Sequence, residues 1–122
     1  MSKKILIVDD EADIFTVEQI RLESLGYNIV GAKDAESALD YLKKDHPDLI
    51  LLDLLLPKMQ GDVLCKKLKA DENYKSIPII LFTASTIRTD IPEVVKEMGA
   101  DDCVLKPFDP KELIGKIKKY IG

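Results

Sequence analysis

Reactive polar residues stand where several short apolar runs of this chain stop. Ile5–Val8 is followed by Asp9 and Asp10, and Leu49–Leu52 by Asp53. Ile79–Phe82 is followed by Thr83, and Val104–Leu105 by Lys106 and Pro107. Three carboxylates brought together would raise one another's pKa and weaken the fold unless a cation neutralised them. Hard oxygen donors with room for water suit Mg²⁺, which is usually held by one or two carboxylates together with phosphate oxygens and solvent. An ammonium and a hydroxyl near one of those carboxylates would complete a shell for an oxygen nucleophile attacking phosphorus, a reaction that needs mainly positioning and charge stabilisation.

That chemistry requires elements that deliver the residues to one place. Continuous apolar runs separated by helix-length segments read as strands of a parallel sheet covered on both faces. A helix is expected over 11–25, with Ile14, Val17, Ile20 and Leu25 as its apolar stripe, Phe15 and Leu22 widening it, and Gly26 as its stop. A second strand is expected over 27–31. A helix over 34–44 follows, with Asp34 as N-cap and Ala35, Ala38, Leu39 and Leu42 inward. After the third strand comes a helix beginning near Gly61, with Val63, Leu64 and Leu68 inward. Another is expected from Asp90 to Met98, ended by Gly99. The last runs from Asp109 to about Tyr120, with Pro110 at its first position and Leu113 and Ile117 inward.

Strict alternation of five strands and five helices implies right-handed crossovers and a doubly wound, flavodoxin-like α/β sheet. Order 2-1-3-4-5 is the simplest fit and sets the first and third strands side by side at the switch point, where such sheets bind ligands beyond their carboxyl ends. Residues 1–122 read as a single domain.

Composition narrows the function classes. A net charge of −4 argues against a nucleic-acid-binding surface. No apolar stretch approaches the roughly 20 residues that span a bilayer. Met1–Lys4 is followed by only four apolar residues before the aspartates, too short for a signal peptide. Two cysteines, Cys65 and Cys103, then read as free thiols in a reducing cytoplasm. Taken singly, Asp9 or Asp10 could cap the following helix, Lys106 could be a counterion and Thr83 an ordinary strand end. Capping does not explain three acids at one crevice. His46, beside Pro47, reads as a solvated turn residue. Lys66, Lys67 and Lys69 read as a solvated helix face, and Lys116, Lys118 and Lys119 as cations favoured at a helix C-terminus.

Ile7-Val8-Asp9-Asp10-Glu11, Asp53 through Gly61, Thr83-Ala84 and Lys106-Pro107-Phe108 together resemble the receiver domain of two-component response regulators, in order and over essentially the whole chain. The resemblance implies that Asp53 is the phospho-acceptor, and that Asp10 binds Mg²⁺ directly and Asp9 largely through water. The backbone carbonyl of Leu55 would be a further ligand. Lys106 would pair with the phosphoryl group and Thr83 would hydrogen-bond to it. The donor would be a sensor histidine kinase or a phosphotransfer protein, and the recipient of the signal a downstream target or an output domain. The only catalysis implied is of the chain's own phosphorylation and dephosphorylation. A phosphorylation-linked homodimer through the last two helices could also be supported, although their apolar residues are equally needed for the core.

Departures from that pattern carry their own expectations. Members commonly place an aromatic residue three positions before the lysine, where this chain has Cys103, expected to be a semi-buried filler rather than a redox sensor. Leu55 and Ser85 occupy positions that tune water attack in relatives, and Gln60 replaces a frequent acidic or small polar residue. A flavin module would need a Gly/Ser/Thr-rich phosphate loop where Asp9-Asp10-Glu11 stands. A haloacid-dehalogenase-type phosphatase would need a second acid at Leu55. The remaining alternative is a phosphorylation-independent interaction domain that keeps the site as a relic.

Overall fold

A computed structural model describes residues 3–53, 61–84, 96, 99–106 and 109–122, without the side chains of residues 14, 61, 62, 83, 84, 105 and 106. The apolar runs form five strands: β1 (Lys4–Val8), β2 (Asn28–Ala32), β3 (Leu49–Asp53), β4 (Ile79–Ala84) and β5 (Asp102–Lys106). All neighbouring pairs are parallel, in the order β2-β1-β3-β4-β5. Every residue of β3 is buried, as expected for a central strand covered on both sides.

Four helices lie among the described residues: α1 (Ala12–Glu23), α2 (Ala35–Lys44), α3 (Gly61–Ala70) and α4 (Pro110–Ile121). The helix expected from Asp90 to Met98 lies outside the described residues apart from Lys96. Side chains alternate across the sheet and feed two core layers. Leu6, Val8, Ile50, Leu52, Ile79 and Leu81 pack with Leu42 of α2 and Leu64 and Leu68 of α3. Ile5, Ile7, Leu49, Leu51, Ile80 and Phe82 pack with Leu22 of α1 and Leu113 and Ile117 of α4.

Local sequence sets the helix ends. Asp34 caps α2 by accepting the Ser37 N–H at 2.7 Å, and Asp109 caps α4 by accepting that of Lys111 at 2.9 Å. Gly26 (φ 96°) and Gly99 (φ 74°) occupy the left-handed region that only glycine enters cheaply.

The inward face of α1 departs from expectation. Val17 is 50% exposed, Ile20 66% and Leu25 47%, whereas Leu22 is fully buried and Phe15 packs against the core. Glu18, between them on the same stripe, is only 4% exposed. The reason lies in β2: Gly31 carries no side chain, and the Phe15 ring occupies the space where one would stand. Seating that ring turns Phe15, Glu18 and Leu22 inward and Val17 and Ile20 outward. On α3, Val63 is likewise exposed, and Cys65 is buried in its place. The second strand is shifted by one residue at each end, to Asn28–Ala32: the Tyr27 N–H turns back to the Leu22 carbonyl at 3.3 Å, and the Ala32 carbonyl accepts the Asp9 N–H at 3.0 Å.

Candidate functional site

The parallel register brings the carboxyl ends of four strands to one edge. Val8 pairs with Leu52, Asp53 with Phe82, Thr83 with Leu105 and Ala84 with Lys106. Asp9 extends the β1 ladder by one bond, its N–H donating to the Ala32 carbonyl at 3.0 Å. The chain then turns into α1, and the Glu11 N–H donates to Asp9 Oδ1 at 2.9 Å. Asp9 therefore holds the turn between β1 and α1 through its side chain. The α1 N-cap, Glu11, makes no side-chain cap of its own.

Each of Asp9, Asp10 and Asp53 offers a carboxylate oxygen within 4.8 Å of the others. Asp9 and Asp53 are buried, at 4% and 3% exposure, and Asp10 is exposed. Two buried carboxylates beside a third, all with oxygen donors, form an incomplete hard-ligand set that fits a divalent cation retaining part of its water. Thr83 and Lys106 stand at the ends of β4 and β5, on the same edge; their side chains, Leu55, Ser85 and Pro107 lie outside what the structure describes.

The comparisons with known proteins agree with this geometry. The response regulator receiver domain profile matches residues 5–118. This chain belongs to the response regulator receiver domain family. It is 42% identical over 121 residues to the alkaline phosphatase synthesis transcriptional regulatory protein PhoP of Bacillus subtilis, covering 99% of this chain and 49% of that protein. It is 40% identical to the probable transcriptional regulator ycf27 of Porphyridium aerugineum, covering 98% and 48% respectively. The chain thus spans about half the length of the curated relatives it matches. Among solved structures, the receiver domain of sensor histidine kinase PA1611 from Pseudomonas aeruginosa superposes with a TM-score of 0.88 at 32% identity, covering 100% of this chain and 99% of that one. That structure has a magnesium ion coordinated in its active-site cleft. Chemotaxis protein CheY4 of Vibrio cholerae gives a TM-score of 0.89 at 29% identity, with 99% and 100% covered.

Away from the acidic edge, two lysines differ in role from their expected ones, whereas Cys103 and His46 do not. Lys69 is no solvated side chain. Its ammonium donates to the Ile77 carbonyl at 2.9 Å and the Lys75 carbonyl at 3.2 Å, and meets Asp101 Oδ2 at 2.7 Å. Lys116 donates to Asp102 Oδ1 at 2.7 Å and to the Cys103 carbonyl at 3.0 Å, tying α4 to β5 instead of serving the helix end. Cys103 is buried in the core, which pushes its thiol pKa up and fits a filler. His46 is exposed, stacked on Tyr74 with ring centroids 5.4 Å apart, in the loop entering β3 at the opposite edge. Among the described residues no helix is long and apolar enough to cross a membrane.

One feature near the acids escaped the sequence reading. A cleft of about 490 Å³ opens between the ends of β1 and β2, walled by Ala12, Phe15, Gly31 and Ala32 and bordered by Asp9, Asp10, Lys33 and Ser37. Its sequence signal was the isolated glycine inside an apolar strand, which often marks a close approach.

Proposed function

We propose that this chain is a phosphorylation-activated signalling switch in which Asp53 accepts a phosphoryl group from the phosphohistidine of a sensor kinase or phosphotransfer protein. The meeting of the Asp9, Asp10 and Asp53 carboxylates at one sheet edge carries the proposal. A carboxylate oxygen of Asp53 forms the new bond to phosphorus as the donor's N–P bond breaks, and the departing imidazole takes its proton from solvent. Asp9, Asp10, Asp53 and the Leu55 carbonyl would hold Mg²⁺, which supplies neutralisation of the charge gathered on the phosphoryl oxygens. Lys106 is assigned the pairing with those oxygens, and Thr83 the hydroxyl hydrogen bond that reports the modified state.

The consequence is a two-state equilibrium biased by the new charge and its acceptor oxygens. The readout is assigned to the segment following β4 together with β5 and α4. Its recipient is an attached output domain or a separate protein, since the matched relatives named as transcriptional regulators are about twice as long. Cys65 and Cys103, both buried and outside any disulfide, support a reducing, cytoplasmic setting.

Incubation with acetyl phosphate and Mg²⁺, read by intact mass, tests the reading. The expected result is a gain of one phosphoryl group that EDTA prevents and Asp53→Asn abolishes. A chain that gains no mass would instead be an interaction domain with a relic site.

A further inference from the structure

The cleft beside the acids has an unusual wall. A Cβ built on Gly31 would stand 2.3 Å from Phe15 Cε2 and 2.4 Å from Cζ, far inside van der Waals contact. The ring therefore lies on bare backbone, in space that any other residue at position 31 would claim. Gly31 has no positive φ to explain the glycine, so its missing side chain is what matters here. The same ring lines the cleft that Asp9 and Asp10 border.

We infer that Gly31 is a positioning residue for the metal site: by seating Phe15 against β2, it keeps open the space beside Asp9 and Asp10 that the water shell of a bound divalent cation needs. The inference rests on the function proposed above and extends it to two residues outside the acidic set. Mg²⁺ is small, demands near-octahedral coordination and sheds water reluctantly, so a site built from a few carboxylates must also leave room for water. A water occupies about 30 Å³ of liquid, so a cleft of about 490 Å³ holds several. With a methyl group at position 31 the atoms that must give way are the tip of the Phe15 ring. A side-chain tip yields by rotating, and the open space the ring borders is the cleft. The ring then crowds the carboxylates while the backbone of β2 stays in place.

Mg²⁺ titration by calorimetry of the whole chain tests this, with urea denaturation alongside. Gly31→Ala should stay folded and bind Mg²⁺ roughly tenfold more weakly, the lower end of what changes outside the direct ligands cost. Adding Phe15→Ala to that variant should restore wild-type affinity while lowering stability further, which a purely structural role for Gly31 would not produce. If Gly31→Ala fails to fold, Phe15→Trp with Gly31 kept intrudes on the same space and should weaken binding. Unchanged affinity in a folded Gly31→Ala, no recovery in the double variant, or unchanged affinity in Phe15→Trp would each overturn the inference. A wild-type chain indifferent to Mg²⁺ would instead overturn the metal reading on which it rests.

Discussion

Arg21 Nη1 lies 2.6 Å from Glu18 Oε1 on the last turns of α1, yet Glu18 is buried and its other oxygen, Oε2, has no hydrogen-bond partner among the described residues. Burial pushes the Glu18 carboxyl above its ordinary value, and the Arg21 charge and hydrogen bond only partly offset this. The folded state thus holds the proton more tightly than the unfolded chain, and stability falls as pH rises from the ordinary glutamate range through the raised value. Glu18→Met should stabilise the protein by about 1 kcal/mol at pH 7. It should also flatten the loss that wild type shows in urea melts as pH rises above the ordinary glutamate range.

Lys69 joins the end of α3 to the segment before β4 and to Asp101, whose Oδ2 also accepts the Ile79 N–H at 2.8 Å. Lys69→Met leaves two carbonyls without this donor and the Asp101 carboxylate without its cation. A loss of about 2–3 kcal/mol is expected in chemical denaturation. By contrast, Lys66→Met and Lys67→Met, on the exposed face of α3, should stay within about 0.5 kcal/mol of wild type.

Burial opposes ionisation of Asp102, but the Lys116 hydrogen bond, the Cys103 amide and the charges of Lys116 and Lys119 outweigh it and hold its carboxyl below the ordinary value. That contribution to stability is present above the unfolded aspartate value and is lost as pH falls through the lowered one. Lys116→Met removes the hydrogen bond and the nearest charge that oppose the burial effect, so the Asp102 value should rise. Carboxyl-carbon NMR titration should place Asp102 above its wild-type value.

Three carboxylates stand together at one edge, and a divalent cation held among them lessens the repulsion between like charges. Mg²⁺ at about a hundred times its dissociation constant should raise stability by about 2.7 kcal/mol. Asp10→Asn removes one of the charges. It should be more stable than wild type without metal and gain little from Mg²⁺, and thermal melts with and without the ion measure both.

The fold was legible because its signal is local. Runs such as Leu49–Leu52 are apolar on every residue, and alternation with helix-length segments leaves few topologies. The meeting of Asp9, Asp10 and Asp53 was legible because they follow such runs on neighbouring strands, so the register brings them to one edge. What the sequence hid depends on partners distant along the chain. The Val17 and Ile20 spacing on α1 suits a buried stripe as well as Phe15 and Leu22 does, and only the bare backbone of Gly31 decides between them. Glu18 looks like a surface acid for the same reason. Lys69 and Lys116 look solvated because their acceptors include backbone carbonyls at residues 75, 77 and 103, which no charge pattern announces.

The most direct test of the central claim is to locate the modified residue. After phosphorylation with acetyl phosphate and Mg²⁺, borohydride reduces an aspartyl phosphate to homoserine, which tandem mass spectrometry assigns to a position. Homoserine is expected at position 53, and none at positions 9 or 10. Homoserine at another aspartate, or at none, would contradict it.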